Sequence, residues 1–297
     1  MIVSRRNLFC VLTEREGPKS NDLRIISMKN YFTNCHVTSI FLAAFLSISL
    51  ICCRSAKMPV SGTGSDFMYQ YSIIDALMAG VFDGDLRIGD LKPKGDFGVG
   101  TFNKVDGELI MLKGKVYKMS AEGIVKEVSD SDSTSAAFVK FFKADTTIFF
   151  KEPNLSYEKL QEYLVEKLNA NTIYAIKITG SFSTMTTRAA SPAKPPYTTL
   201  TAHLGENQKL FNYNNTTGTC VGFLLPPYLA RTNVPGFHLH YIADDLKAGG
   251  HIFKFNTDAV AVEIDFAKGF TIENNTNAEF LNVNLKPDRG AELKKIE

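Results

Sequence analysis

At 297 residues, with 44% apolar and 22% charged side chains, the chain is long enough to bury a full core and too apolar to be a disordered polymer. Its formal net charge is only +2, and six Lys/Arg against three Asp/Glu in the first 53 residues leave 27 against 28 in the rest, so nothing in the charge balance suggests the concentrated basic face that nucleic-acid phosphates call for. Four of the five cysteines, Cys10, Cys35, Cys52 and Cys53, lie in that first stretch. The remaining thiol, Cys220, excludes an internal disulfide framework in the body and reads as a small buried hydrophobe.

The run from Thr38 to Cys53, TSIFLAAFLSISLICC, is uncharged and apolar, and is followed by Arg54 and a small, polar stretch. Its length suits the h-region of a secretory signal better than a membrane span of about 20 residues. Residues 1–56 are therefore read as a leader, with Met28 as an alternative true start because MKNYFTNCHVTS makes a conventional short n-region. The SLICC end resembles a bacterial lipobox with Cys53 as lipid acceptor, although Cys52 stands where Gly, Ala or Ser is usual. An exported protein, periplasmic or membrane-anchored through Cys53, is expected if the leader is real, and a cytoplasmic one otherwise.

Past the leader, YSIIDALMAGVFDGD spaces Ile73, Ile74, Leu77, Met78 and Val81 at helical intervals and stops at Gly80 and Gly84. From Phe97 the texture changes to short alternating runs divided by Asp106-Gly107, Lys113-Gly114 and Glu122-Gly123, which predicts a β-meander. AAFVKFF and TTIFFK extend the strands to about Lys151. SYEKLQEYLVEKL then gives a helix with Leu160, Leu164 and Leu168 on one stripe and Ser156 as N-cap. TIYAIKITGSF returns to strand, and the Pro-rich SPAKPPY reads as a crossing or surface loop.

Three of the five histidines fall in GFHLHYIADDLKAGGH. In a strand, His238 and His240 face one side while Phe237, Leu239 and Tyr241 face the other. ADDLKAGG is polar and ends in glycine, and HIFKFN resumes the alternation, so the two runs predict a hairpin that brings His251 across from the pair. Three neutral imidazoles with an open fourth position is the arrangement of a catalytic zinc site, unlike the closed thiolate sets of structural zinc. His203, in LTAHLGENQ, is read as a surface residue, and His36 belongs to the leader.

Three segments in order, GDFGVGTFNKVDGELIMLKGKVYKM, TRAASPAKPPY and NVPGFHLHYIADDLKAGGHIFKF, resemble the acetolactate decarboxylase family, and the resemblance covers about Tyr69 to Glu297. It implies that His238, His240 and His251 hold Zn2+ and that Arg188, Glu108 and Glu297 are catalytic. For Glu108 the local pattern agrees: it shares a strand face with Ile110 and Leu112, where a carboxylate is expensive unless paired, ligated or functional. Glu297 has a second reading as a solvated tail residue.

The resemblance further implies a metal-dependent decarboxylation of 2-acetolactate to acetoin and CO2. Zinc would act as the Lewis acid for the enediolate, Arg188 as the carboxylate anchor, and the two glutamates as proton carriers. Two alternatives stand beside it: a cupin-like iron or manganese oxygenase using Asp244, and a non-catalytic zinc-binding surface lipoprotein. The expected fold class is α/β of the α+β type, with a leader at 1–56 and two domains, 57–175 and 176–297; the resemblance adds that each is built on a mixed, largely antiparallel β-sheet with few helices. A homodimer is expected from the resemblance.

Overall fold

A computed structural model describes residues 66–297, so the leader, its alternative start and Cys53 lie outside the described residues. The strands are β1 (Phe67–Tyr71), β2 (Leu86–Arg87), β3 (Phe97–Phe102), β4 (Glu108–Leu112), β5 (Lys115–Met119), β6 (Val125–Glu127) and β7 (Ser133–Lys140), followed by β8 (Thr146–Phe150), β9 (Leu155–Ser156), β10 (Ile173–Ala190), β11 (Gln208–Leu225), β12 (Gly236–Ala243), β13 (Gly249–Ala267) and β14 (Gly269–Glu273). They make two sheets, mixed and largely antiparallel, with few helices, as the fold class anticipated.

The first sheet runs β14-β1-β7-β3-β4-β5-β6, with β2 added to β7. Its β3 to β6 portion is the expected antiparallel meander. Gly107 is needed at the first turn, because its φ is +81° and a Cβ there would lie 2.3 Å from the Met119 carbonyl oxygen. The parallel pair is β1 with β14, which returns from the far end of the chain.

In the second sheet β10 pairs along its length with both β11 and β13, and β12 also pairs with both, so these four strands close on one another. β8 and β9 add to β13. β10 is longer than TIYAIKITGSF suggested, because its alternation carries on through MTTRAA to Ala190; irregularities after Ser181 and at Thr186/Thr187 let it bend. A boundary at 175 falls inside this strand, and β8 and β9 belong to the second sheet while β14 belongs to the first, so the sheets do not follow one cut in the sequence.

Between the sheets, Val99, Ile110 and Phe138 of the first meet Ala175, Val221 and Phe223 of the second. Two short helices, Ile74–Met78 and Leu200–Asn207, add Ile74, Leu77, Leu200 and Leu204 to the same core. The first is shorter than its apolar spacing suggested, since Gly80 takes a φ of +97° and ends it. The helix Tyr157–Lys167 lays Tyr157, Leu160 and Leu164 on the outer face of the second sheet, and the Ser156 hydroxyl accepts from the Lys159 N–H as its N-cap. Cys220 is buried in that outer cluster. A buried ion pair, Lys140 with Asp265, ties β7 to β13.

Candidate functional site

β12 alternates as its sequence requires: Leu239 and Tyr241 enter the helix-covered cluster, while His238 and His240 turn toward the first sheet. Asp244 and Asp245 are exposed in the turn that follows, and β13 returns so that His251 stands opposite His240. On the other side of β13, Arg188 of β10 stands opposite His251. Arg188, His251 and His240 therefore form one row across three strands.

The three imidazoles each offer a nitrogen within 4.8 Å of the others, and their ring centroids are 5.1–5.3 Å apart. All three are buried. His240 Nδ1 lies 2.9 Å from the carbonyl oxygen of Leu109 in the first sheet. A carbonyl only accepts, so Nδ1 carries the proton and Nε2 is left with a lone pair, the outer-shell arrangement common to metal-binding histidines. That Nε2 is buried without a hydrogen-bond partner, an orphan acceptor where a ligand atom should be. The donor set fits a divalent ion: three neutral nitrogens converging, with carboxylates beyond two of them.

Those carboxylates are the two glutamates. Glu108 opens β4 and places Oε2 3.5 Å from His240 Nε2. Glu297 follows the helix Gly290–Leu293; burial of Leu293 and Ile296 in the inter-sheet core brings its Oε2 to 3.6 Å from His251 Nε2 and its Oε1 to 4.0 Å from Arg188 Nη2. The Glu297 side chain is 18% exposed although the residue as a whole is exposed, so the side chain turns toward the cavity from an exposed backbone.

Arg188 is buried in turn, its guanidinium 5.4 Å from the centroid of Phe253. Nη1 donates to Gln208 Oε1 at 3.5 Å, and Nε has no partner. A small cavity of about 50 Å³ is lined by these six residues and by an apolar wall of Ile74, Leu77, Val105, Phe138, Leu200 and Leu204.

Electrostatics follow from this burial. Desolvation first, then the nearby Arg188 charge, lowers the His238 pKa to about 3. Burial, then His238, pushes His240 well below its ordinary value against the Leu109 hydrogen bond, and burial, then Arg188, does the same to His251. Glu108 and Glu297 are both raised by burial to about 7, with Arg188 opposing the rise in each. Near neutral pH the imidazoles are thus free to ligate, and each glutamate is able to hold or release a proton.

These shifts set an acid-stability profile for the metal-free protein. Unfolded histidines take up protons near pH 6.5 while the folded ones stay neutral, so falling pH costs about 1.4 kcal/mol per histidine per pH unit. The glutamates act in the opposite sense between about 7 and 4.5, where the folded chain binds protons before the unfolded one. Three losses against two gains predict, from this site, a gentle fall in stability from pH 6.5 to 4.5 and a steep one below. Urea midpoints across that range check this; a continuous rise toward pH 4 would mean the folded imidazoles are charged.

Several participants carry no local sequence signal. Gln208 and Phe253 meet Arg188 only through strand pairing, and Leu109 contributes a backbone atom. His203, expected at the surface, is buried: it shares a helix face with Leu200 and Leu204, and its Nε2 lies 2.9 Å from the Ser191 carbonyl oxygen.

Comparison with known proteins places this site in a family context. The profile of the alpha-acetolactate decarboxylase family matches residues 68–287. The alpha-acetolactate decarboxylase of Methanosarcina mazei is 37% identical over 239 residues, covering 80% of this chain and 82% of that protein. The Bacillus subtilis enzyme of the same name is 34% identical over 233 residues, 77% of this chain and 90% of its own. A crystal structure of acetolactate decarboxylase from Bacillus subtilis subspecies spizizenii superposes with a TM-score of 0.75 at 32% identity, covering 77% of this chain and 99% of that one.

Proposed function

The chain belongs to the alpha-acetolactate decarboxylase family, and on that premise we propose that it converts 2-acetolactate to acetoin and CO2 in the inter-sheet cavity, with zinc held by His238, His240 and His251. The observation that carries this reading is the row Arg188, His251, His240, which sets a fixed cation for a carboxylate directly beside a neutral three-imidazole cluster. A zinc ion held there would supply Lewis acidity to the substrate oxygens on which charge collects as CO2 leaves.

The remaining work falls to the chain's own side chains. Arg188 binds the substrate carboxylate and fixes the breaking carbon–carbon bond relative to the ketone plane, so that its electrons flow into the carbonyl system. The apolar wall of Ile74, Leu77, Leu200 and Leu204 receives the methyl groups and keeps water from the reacting carbon.

Conversion of the acetolactate anion to acetoin and CO2 consumes one proton, delivered to the carbon that lost the carboxylate. One glutamate, protonated, supplies it; the other takes the hydroxyl proton and returns it. A pKa of about 7 for both makes either role accessible at neutral pH. Glu108→Gln keeps the shape and removes the proton traffic, so turnover should fall about 10²-fold or more while metal content stays at the wild-type level. Metal analysis and steady-state rates on the same sample check this, and an unchanged rate would remove Glu108 from the chemistry.

The test of the function itself is release of CO2 and acetoin from racemic 2-acetolactate by the purified protein, with metal content measured in parallel. Turnover that a chelator abolishes and zinc restores supports the reading. Zinc bound at one per chain without turnover would overturn it and favour a binding role.

A further inference from the structure

Glu297 reaches the cavity at the end of a segment with few ties to the rest of the molecule. After β14, Asn275 and Asn277 donate to the Asp83 carbonyl oxygen, and beyond that most residues are exposed until Leu293 and Ile296 enter the core. From 280 to 288, among the described residues, the hydrogen bonds from the body of the fold come from one side chain, Arg231. Its Nη2 donates to the carbonyl oxygens of Leu285 and, at 3.4 Å, Pro287.

The same guanidinium reaches inward. Arg231 Nε donates to Asp75 Oδ2 at 2.7 Å, and Asp75, its side chain only 6% exposed, sits in the helix Ile74–Met78 that supplies Ile74 and Leu77 to the cavity wall. Main-chain bonds fasten the two segments as well, with Asp75 N donating to the Arg231 carbonyl and Ile74 N to that of Thr232. Arg231 adopts a φ of +71°, in the left-handed region where glycine is at ease and arginine is strained.

We propose that Arg231 is a positioning residue: bridging Asp75 to the Leu285 and Pro287 carbonyls, it holds the carboxyl-terminal segment against the cavity wall and so sets Glu297 beside Arg188 and His251. This rests on the proton-carrying role given to Glu297 above. Displacement of a reacting group by about 1 Å costs on the order of 10²-fold in rate, so a tether this far from the chemistry has a measurable effect.

The test is a double-mutant cycle of Arg231→Gly and Glu297→Gln, read as kcat on 2-acetolactate with metal content and melting temperature determined for each protein. Glycine suits the backbone at 231; it removes the tether and also leaves the Asp75 carboxylate without its guanidinium, an effect that the melting temperature reports and that Glu297→Gln does not mask. The expected result is a kcat loss of about tenfold or more for Arg231→Gly with metal retained, shrinking to less than about twofold when Glu297 is already Gln. Equal losses in both backgrounds would overturn the proposal, because Arg231 would then act independently of Glu297. Full activity in Glu297→Gln alone would remove the role of Glu297 itself, and this inference with it, while leaving the decarboxylase reading in place. If Arg231→Gly does not fold, Arg231→Lys serves the same cycle, since one ammonium cannot span Asp75 and both carbonyls.

Discussion

His240→Ala is expected to abolish metal binding and to lower turnover by three or more powers of ten, with the fold intact. The lone pair on His240 Nε2 is the best-prepared of the three, because the Leu109 carbonyl fixes the proton on the opposite nitrogen. Loss of an outer-shell partner alone typically costs 10–100-fold in metal affinity or activity, so loss of the ligand should cost more. Lewis-acid stabilisation is worth several kcal/mol at about 1.4 kcal/mol per tenfold in rate, which sets the size of the activity loss. His240 is also a neutral base held in a buried site, so its removal takes away one of the three acid-labile groups. The variant should therefore keep its neutral-pH fold and show a shallower loss of stability below pH 4.5 than metal-free wild type. Metal analysis, turnover and a urea series at two pH values check all three parts. Retained zinc with retained activity would show that the ion sits elsewhere.

That the hairpin histidines meet was readable from the sequence, because both signals are local. Alternation fixes which way His238 and His240 face, and a polar, glycine-ended turn fixes that the chain doubles back to His251. The β3–β6 meander and the Ser156 cap are local in the same sense. The position of Arg188 is not, because its neighbours are set by the pairing of β10 with β13, some sixty residues away, which depends on bends in an 18-residue strand. Only the family resemblance singled it out. The return of β14 to the first sheet and the arrival of Glu297 at the cavity are likewise tertiary outcomes, decided by where Leu293 and Ile296 find burial. His203 misled because Thr201, Glu206, Asn207 and Gln208 make its segment read as polar; the apolar positions at 200 and 204 mark the helix face that turns inward, and 203 lies on it.

Arg188→Lys should cost about 10²- to 10³-fold in kcat/KM while leaving metal content unchanged. Arg188 is 5% exposed, its Nε has no partner, and its contacts to Gln208 and Glu297 are long, so most of its donors are available for a planar anion. Lysine keeps the positive charge but cannot present two parallel donors, nor lie over Phe253 as a flat cation does. A hydrogen bond to a charged group is worth about 1.5–3 kcal/mol, so loss of one or both bonds to the substrate carboxylate accounts for the expected range. Keeping the charge matters to the interpretation. Arg188 lowers the pKa values of both glutamates against the effect of burial, and an uncharged replacement would raise them as well as remove the anchor. With lysine, the pH–rate profile should hold its position while its height falls. Arg188→Met should show the same drop in height together with a shift of the profile to higher pH, since glutamates freed from the cation release their protons later. Wild-type kcat/KM in the lysine variant would mean that charge alone binds the substrate and that the planar geometry of the row contributes nothing.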